Sequence, residues 1–157
     1  MRRFLVLSAT LAMAFALPAQ GSARDLIRSD PYDARIVAAY NCNRIVAAGD
    51  FSDSTLARCR AEYDTTVQFE RSVQGITPAQ RSTIAIARGL SMMTMSGAYT
   101  RLDGVLSARA CEAIRLMDQS LAGYDPAASS DLEDLYTLIA NTRDVAMPKC
   151  RIGGHWR

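Results

Sequence analysis

The chain is short of the residues on which most small enzymes rely. It has a single histidine, His155, which lies three residues from the C-terminus, so any histidine-dependent nucleophilic triad would have to use that one ring. There is no C-x-x-C, no C-x-x-C-H, no closely spaced cysteine or histidine pair of the kind zinc sites use, and no G-x-S-x-G, Walker, dinucleotide or calcium-loop pattern. Lysine occurs once, as Lys149, and tryptophan once, as Trp156. Past the first residues no apolar run reaches membrane-spanning length; the uncharged stretch 89–100 is too short and is bracketed by Arg88 and Arg101. Signs of β-structure are nearly missing as well.

What is present begins with the opening segment, "MRRFLVLSATLAMAFALPAQGSA". Two arginines, an apolar stretch from Phe4 to Leu17, Pro18 and then small residues form the layout of a secretory signal peptide over 1–23, with cleavage after Gly21 or Ala23. Phe4 directly after the arginine pair favours the general export route over the twin-arginine one, and no cysteine near the cleavage point suggests lipidation. A periplasmic or secreted location is therefore expected. With the leader gone, the 18 basic residues, less Arg2 and Arg3, balance the 16 acidic ones. The basic charge of the whole chain belongs to the leader, and the remainder carries no electrostatic case for nucleic acid or an anionic membrane.

Residues 24–157 are expected to form one all-α domain of about five helices: two antiparallel αα-hairpins plus a C-terminal helix, with a core over 30–147 and a tail over 148–157. Asp30-Pro31 opens the first helix, whose Ile36, Ala39 or Tyr40, Cys42 or Asn43, and Val46 trace one stripe up to a stop at Gly49. The second helix starts near Ser52 or Asp53 and runs towards Gly75, with Leu56, Cys59, Tyr63 and Val67 at helical spacing. Thr77, Pro78 and Gln80 make a capping box for a third helix that is apolar or small on nearly every side, the mark of a helix sandwiched between others. A fourth helix is expected from Val105, and a fifth from a second capping box at Ser130 and Glu133, ending at Pro148.

Four cysteines in an exported chain point to disulfides. If the first bend centres near Phe51, Cys42 and Cys59 sit at almost equal heights on facing helices, and a similar count about Ser129 matches Cys111 with Cys150. The expected pairing is Cys42–Cys59 and Cys111–Cys150, in series. Three other groups have chemical readings. Met92, Met93 and Met95 could form a soft-metal patch, but core packing suits them better. Glu62 with Asp64, Glu112, and Glu133 with Asp134 could supply a carboxylate pair for hydrolysis, although first-turn and solvated-face roles fit their positions. His155 reads as an incidental residue of the tail. No catalytic residue, metal or cofactor is expected.

The segment 95–126 resembles a tetratricopeptide repeat: Tyr99, Leu102, the Asp103-Gly104 turn, Ala108 and the closing Pro126 fall in that family's order. It departs from the pattern at Met95-Ser96, where Leu-Gly is usual, and at Glu112, where an aromatic is usual; its second helix is about a turn too long. An Ala-Tyr, turn, Ala-Arg, Cys order also recurs, from Ala39 to Cys59 and from Ala98 to Cys111. The resemblance implies a helical scaffold that presents a face to a peptide or protein. The expected function is a protein- or peptide-binding module of the cell envelope, whose partner is another envelope protein or a peptide. The competing classes are an enzyme inhibitor or stress protein and a small carboxylate hydrolase.

Overall fold

A computed structural model describes residues 30–156 of the chain; the leader and its cleavage points lie outside the described residues. Five helices follow one another, α1 Pro31–Ala47, α2 Asp53–Ser72, α3 Pro78–Asp103, α4 Ala108–Leu121 and α5 Glu133–Ile152, with a single 3₁₀ turn, Ser130–Leu132, before the last. No strand occurs among the described residues.

The helix starts follow from local chemistry. Asp30 accepts from the backbone N–H of Tyr32 at 2.8 Å and Pro31 takes the first position of α1, where its missing N–H costs nothing. At α3 the box is complete: the Thr77 hydroxyl accepts from the Gln80 N–H, and the Gln80 side chain accepts from the Thr77 N–H. Gly104 closes α3 with φ +68°, a left-handed position that only glycine takes without strain.

The third helix is the middle layer. It contacts α1 and α2 on one flank and α4 and α5 on the other, while no Cα pair within 8 Å joins α1 or α2 to α4 or α5. That explains its composition: Ile84, Ala85, Ile86, Ala87, Leu90, Met92, Met95 and Ala98 are all buried, as are Ser91, Thr94 and Ser96. Buried hydroxyls need partners, and these find them on their own helix. Ser91 donates to the Ala87 carbonyl, Ser96 to that of Met93 and Thr94 to that of Leu90, while Thr94 also accepts from the Asn43 amide at 2.9 Å. Gly89 marks the closest approach. A Cβ there would stand 3.3 Å from Ile139 Cγ2 and 3.4 Å from Leu121 Cδ2, so α5 and α4 lie against bare backbone. Arg88, at the edge of the uncharged stretch, reaches Glu70 of α2 at 2.5 Å and lies over the Tyr63 ring.

Each flank carries one disulfide. Cys42–Cys59 joins α1 to α2 with Cα atoms 5.5 Å apart, and Cys111–Cys150 joins α4 to α5 at 5.6 Å, both as the matched distances from the bends require.

Three expectations are corrected. Pro148 does not end the regular part: α5 runs through it to Ile152. The proline deprives the Asp144 carbonyl of its partner, but both residues are exposed, so water can serve that carbonyl, and the Cys150 bridge holds the turn beyond. The tail shrinks accordingly, and its Trp156 packs against the core. The capping box at Ser130 and Glu133 does not form, because Ser130 enters a 3₁₀ turn that makes Leu132 the residue before α5, which starts at Glu133 without a side-chain cap. Finally, α4 starts at Ala108 rather than Val105, since the Ser107 hydroxyl takes the capping position.

Two measurements test this architecture. Gly89→Val, which forces methyls into Ile139 and Leu121, is expected to lower the unfolding free energy by about 2 kcal/mol in urea titration. Replacing Cys111 and Cys150 together by alanine is expected to cost about 4 kcal/mol by loop-closure entropy, and Cys42 with Cys59 about 3 kcal/mol. Only the first pair should also lose helical circular dichroism before the main transition, as α5 frays beyond Pro148.

A candidate protein-interaction surface

The helices alternate in direction, so the α1–α2 turn and the α3–α4 turn lie at the same end of the molecule, linked by Arg101, whose guanidinium stands 5.1 Å over the Phe51 ring. The first turn is fixed by Asp50. Its carboxylate accepts from the Thr55 hydroxyl at 2.7 Å and from the Ser52 N–H at 3.0 Å, while Gly49 supplies a φ of +97°. These bonds, that from the Thr55 hydroxyl first, hold the Asp50 carboxyl down at about 2.

The second turn is fixed by Asp103. It accepts from Arg109 through two nitrogens, Nε at 2.9 Å and Nη2 at 2.5 Å, and from the Ser107 hydroxyl. The hydrogen bonds from Arg109 are the main reason its carboxyl titrates below the usual range. Arg109 in turn lies 4.6 Å over the Tyr99 ring. Two stacked arginine–aromatic pairs thus stand at this end, each a cation–π contact, and Arg109 is further anchored by Asp103. The last turn of α3 exposes Leu102 at 47% and the α3–α4 turn exposes Val105 at 63%, with Leu106 half-buried beside them. The arginines and aromatics around these exposed aliphatics are residue types enriched at protein interfaces, whereas Asp50, Asp53 and Asp103 serve the turns themselves or lie beside them.

The residues singled out in the sequence lie elsewhere. All four cysteines are buried, three of them completely, and serve as staples. Met92, Met93 and Met95 are buried in the core, with the Met93 sulfur 3.6 Å from the Thr142 hydroxyl, which donates to the Leu138 carbonyl at 2.9 Å. The carboxylates are not brought together: Asp64 pairs with Arg60 at 3.3 Å, Glu112 with Arg115 at 2.5 Å, and Glu133 and Asp134 face solvent in the first turn of α5. His155 is exposed just past α5, its backbone N–H bonded to the Cys150 carbonyl. Among the described residues no three histidine, cysteine, aspartate or glutamate side chains converge as a metal site would need.

At the opposite end a cavity of about 330 Å³ opens between Pro78, Arg81, Tyr124 and Asp125. Tyr124 stacks on Tyr136 with centroids 4.3 Å apart and donates to the Ser129 carbonyl at 3.0 Å. These contacts hold the loop after α4, and the exposed Arg81 leaves the cavity a depression of the surface.

The exposed turn was hidden in the sequence because Val105 falls where a fourth helix plausibly begins. Ser107 followed by Ala108 was the signal that the helix starts later and leaves Val105 outside it. The arginine–aromatic stacking has no sequence signature: one pair joins residues fifty apart and the other reaches across the α3–α4 turn. No family model, no curated protein and no solved structure matches this chain.

The Asp50 bonds give a pH dependence. Its folded pKa lies below the ordinary carboxylate value, so its contribution is fully present above about pH 4 and is lost as pH falls through about 2. In parallel acid titrations, Asp50→Asn should lose stability at neutral pH and show a shallower decline than the parent between pH 4 and 2.

Proposed function

We propose that this chain is an exported protein-binding module of the cell envelope, which engages another envelope protein or a peptide through the two-turn end of its helical domain. The observation that carries the proposal is the exposure of Leu102 and Val105 between the stacked pairs Arg101–Phe51 and Arg109–Tyr99. Arg109, already fixed on Asp103, loses little conformational entropy when a partner docks, so more of its contact energy remains as affinity. The two disulfides agree with an oxidising compartment, and no described helix is long and apolar enough to cross a membrane. The resemblance of 95–126 to a tetratricopeptide unit suggests the same class of function, with one difference: the exposed aliphatics sit at the turn of that hairpin rather than along a helix face.

The test compares the protein with Leu102→Asp and Val105→Asp variants, each immobilised and exposed to envelope extract. Both positions are exposed, so circular dichroism and melting temperature should stay unchanged. The parent is expected to retain a defined protein that each variant binds at least about tenfold more weakly. Equal retention by parent and variants would overturn the assignment.

A further inference from the structure

Past its leader the chain carries balanced charge, yet the alternating helices sort that charge between two poles. The last turns of α1, α3 and α5 and the second turn of α2 bring Arg44, Arg58, Arg101, Lys149 and Arg151 to the two-turn end, all exposed. Among the described residues none of the five forms an ion pair, and they outnumber the acids of that end that also lack one, Asp50 and Asp53. The balance reverses at the opposite end. There Asp30, Asp33, Asp125, Asp131, Glu133 and Asp134 outnumber Arg35, Arg71 and Arg81, again with no ion pair among them. Cations complement the dipole at a helix C-terminus, which accounts for every base of the positive pole except Arg58, near the start of its helix. Apolar exposure follows the positive pole. Leu102, Val105 and Ile152 belong to it, and among the described residues no large hydrophobic side chain is exposed at the other end. Lys149 and Arg151 flank Cys150, whose bridge partner Cys111 has its sulfur 3.9 Å from the Leu106 carbonyl, so these cations stand beside the turn that bears Val105.

We propose that the occupant of the two-turn end is an acidic protein segment, with Asp or Glu side chains interspersed among aliphatic ones. Its carboxylates meet the unpaired cations, and its aliphatic side chains cover Leu102 and Val105. The inference rests on the assignment of this end as the binding surface and names the chemistry of what binds there. An arginine fork takes a carboxylate through two parallel hydrogen bonds, and three of the five free cations are arginines. The field also orients the encounter: the acidic pole repels such a segment and the basic pole attracts it, so approach is steered to one end. The same charges select among anionic partners. Asp50 and Asp53, set among the bases, oppose a continuous anionic layer such as lipid headgroups, whereas a peptide can place its own charges between theirs. A second copy of this chain offers an acidic pole, but one without exposed large hydrophobic side chains to meet Leu102 and Val105.

Fluorescence anisotropy of two labelled peptides titrated with the purified full chain tests the assignment. One peptide is built from Glu, Leu and Ser, and the other has Lys in place of every Glu. The Glu peptide is expected to bind at least about tenfold more tightly, and the difference should vanish in about 1 M salt, where the screening length falls to about 3 Å. Arg44→Glu combined with Lys149→Glu should weaken the Glu peptide at least about tenfold, and Leu102→Ser should weaken it as well. Arg71→Glu, at the opposite pole, should leave it unchanged. Circular dichroism verifies that each variant is folded. Equal binding of the two peptides, no binding of the Glu peptide, or equal weakening by Arg71→Glu overturns the proposal. So does retention on phosphatidylglycerol vesicles by a chain that ignores the Glu peptide, or a salt-sensitive dimer whose formation Arg44→Glu with Lys149→Glu abolishes. An envelope protein captured through Leu102 and Val105, with undiminished strength in about 1 M salt and by the charge-reversed variant, overturns the acidic segment alone and leaves the proposed function standing.

Discussion

The burial of α3 on both flanks is the constraint from which the rest of the structure follows. A helix with neighbours on nearly every side has almost no face left for charge, which accounts for the uncharged stretch between Arg88 and Arg101. It must also let those neighbours in, and Gly89 admits Ile139 and Leu121 to van der Waals distance of the backbone. Its hydroxyls are tolerated because each returns a hydrogen bond to a carbonyl of the same helix. The outer helices then need only one apolar face each, and their outer faces are free to carry charge or to bind.

That constraint was also what made the fold legible. The all-round apolar character of α3, the capping box at Thr77 and the left-handed turn at Gly104 are local statements that a sequence makes directly. The disulfides were legible for a related reason: equal distances from a bend on antiparallel helices place two residues at one height whatever the packing. Pro148 failed as a stop signal because a local rule met a tertiary tie. The rule removes one hydrogen bond, and the bridge at Cys150 holds the turn regardless. The second capping box failed because Ser130 is taken up in the 3₁₀ turn, which places Leu132 rather than Ser130 next to the helix that Glu133 begins.

The candidate surface was illegible because it is made of pairs that form across turns and between helices rather than along one helix. Nothing in the spacing of Phe51 and Arg101, or of Tyr99 and Arg109, announces that each arginine lies over a ring. The residues that looked chemical in the sequence turned out to be interior or solvated ones. The cysteines and methionines pack, and Asp64 and Glu112 are held by neighbouring arginines. The two ends of the molecule divide accordingly: one bears arginine–aromatic stacks beside exposed aliphatics, and the other bears stacked tyrosines that hold a loop.

The order of the bridges bears on how such a chain matures. Each cysteine bonds to the next one along, Cys42 to Cys59 and Cys111 to Cys150, and the two loops neither cross nor enclose one another. A chain threaded through a membrane N-terminus first delivers Cys59 while Cys42 is the only thiol available to it, and completes that loop before Cys111 emerges. An oxidase that simply joins each new thiol to the one waiting makes both native bonds. Pairing in chain order therefore calls for no reshuffling, and forming each bond still requires an electron acceptor.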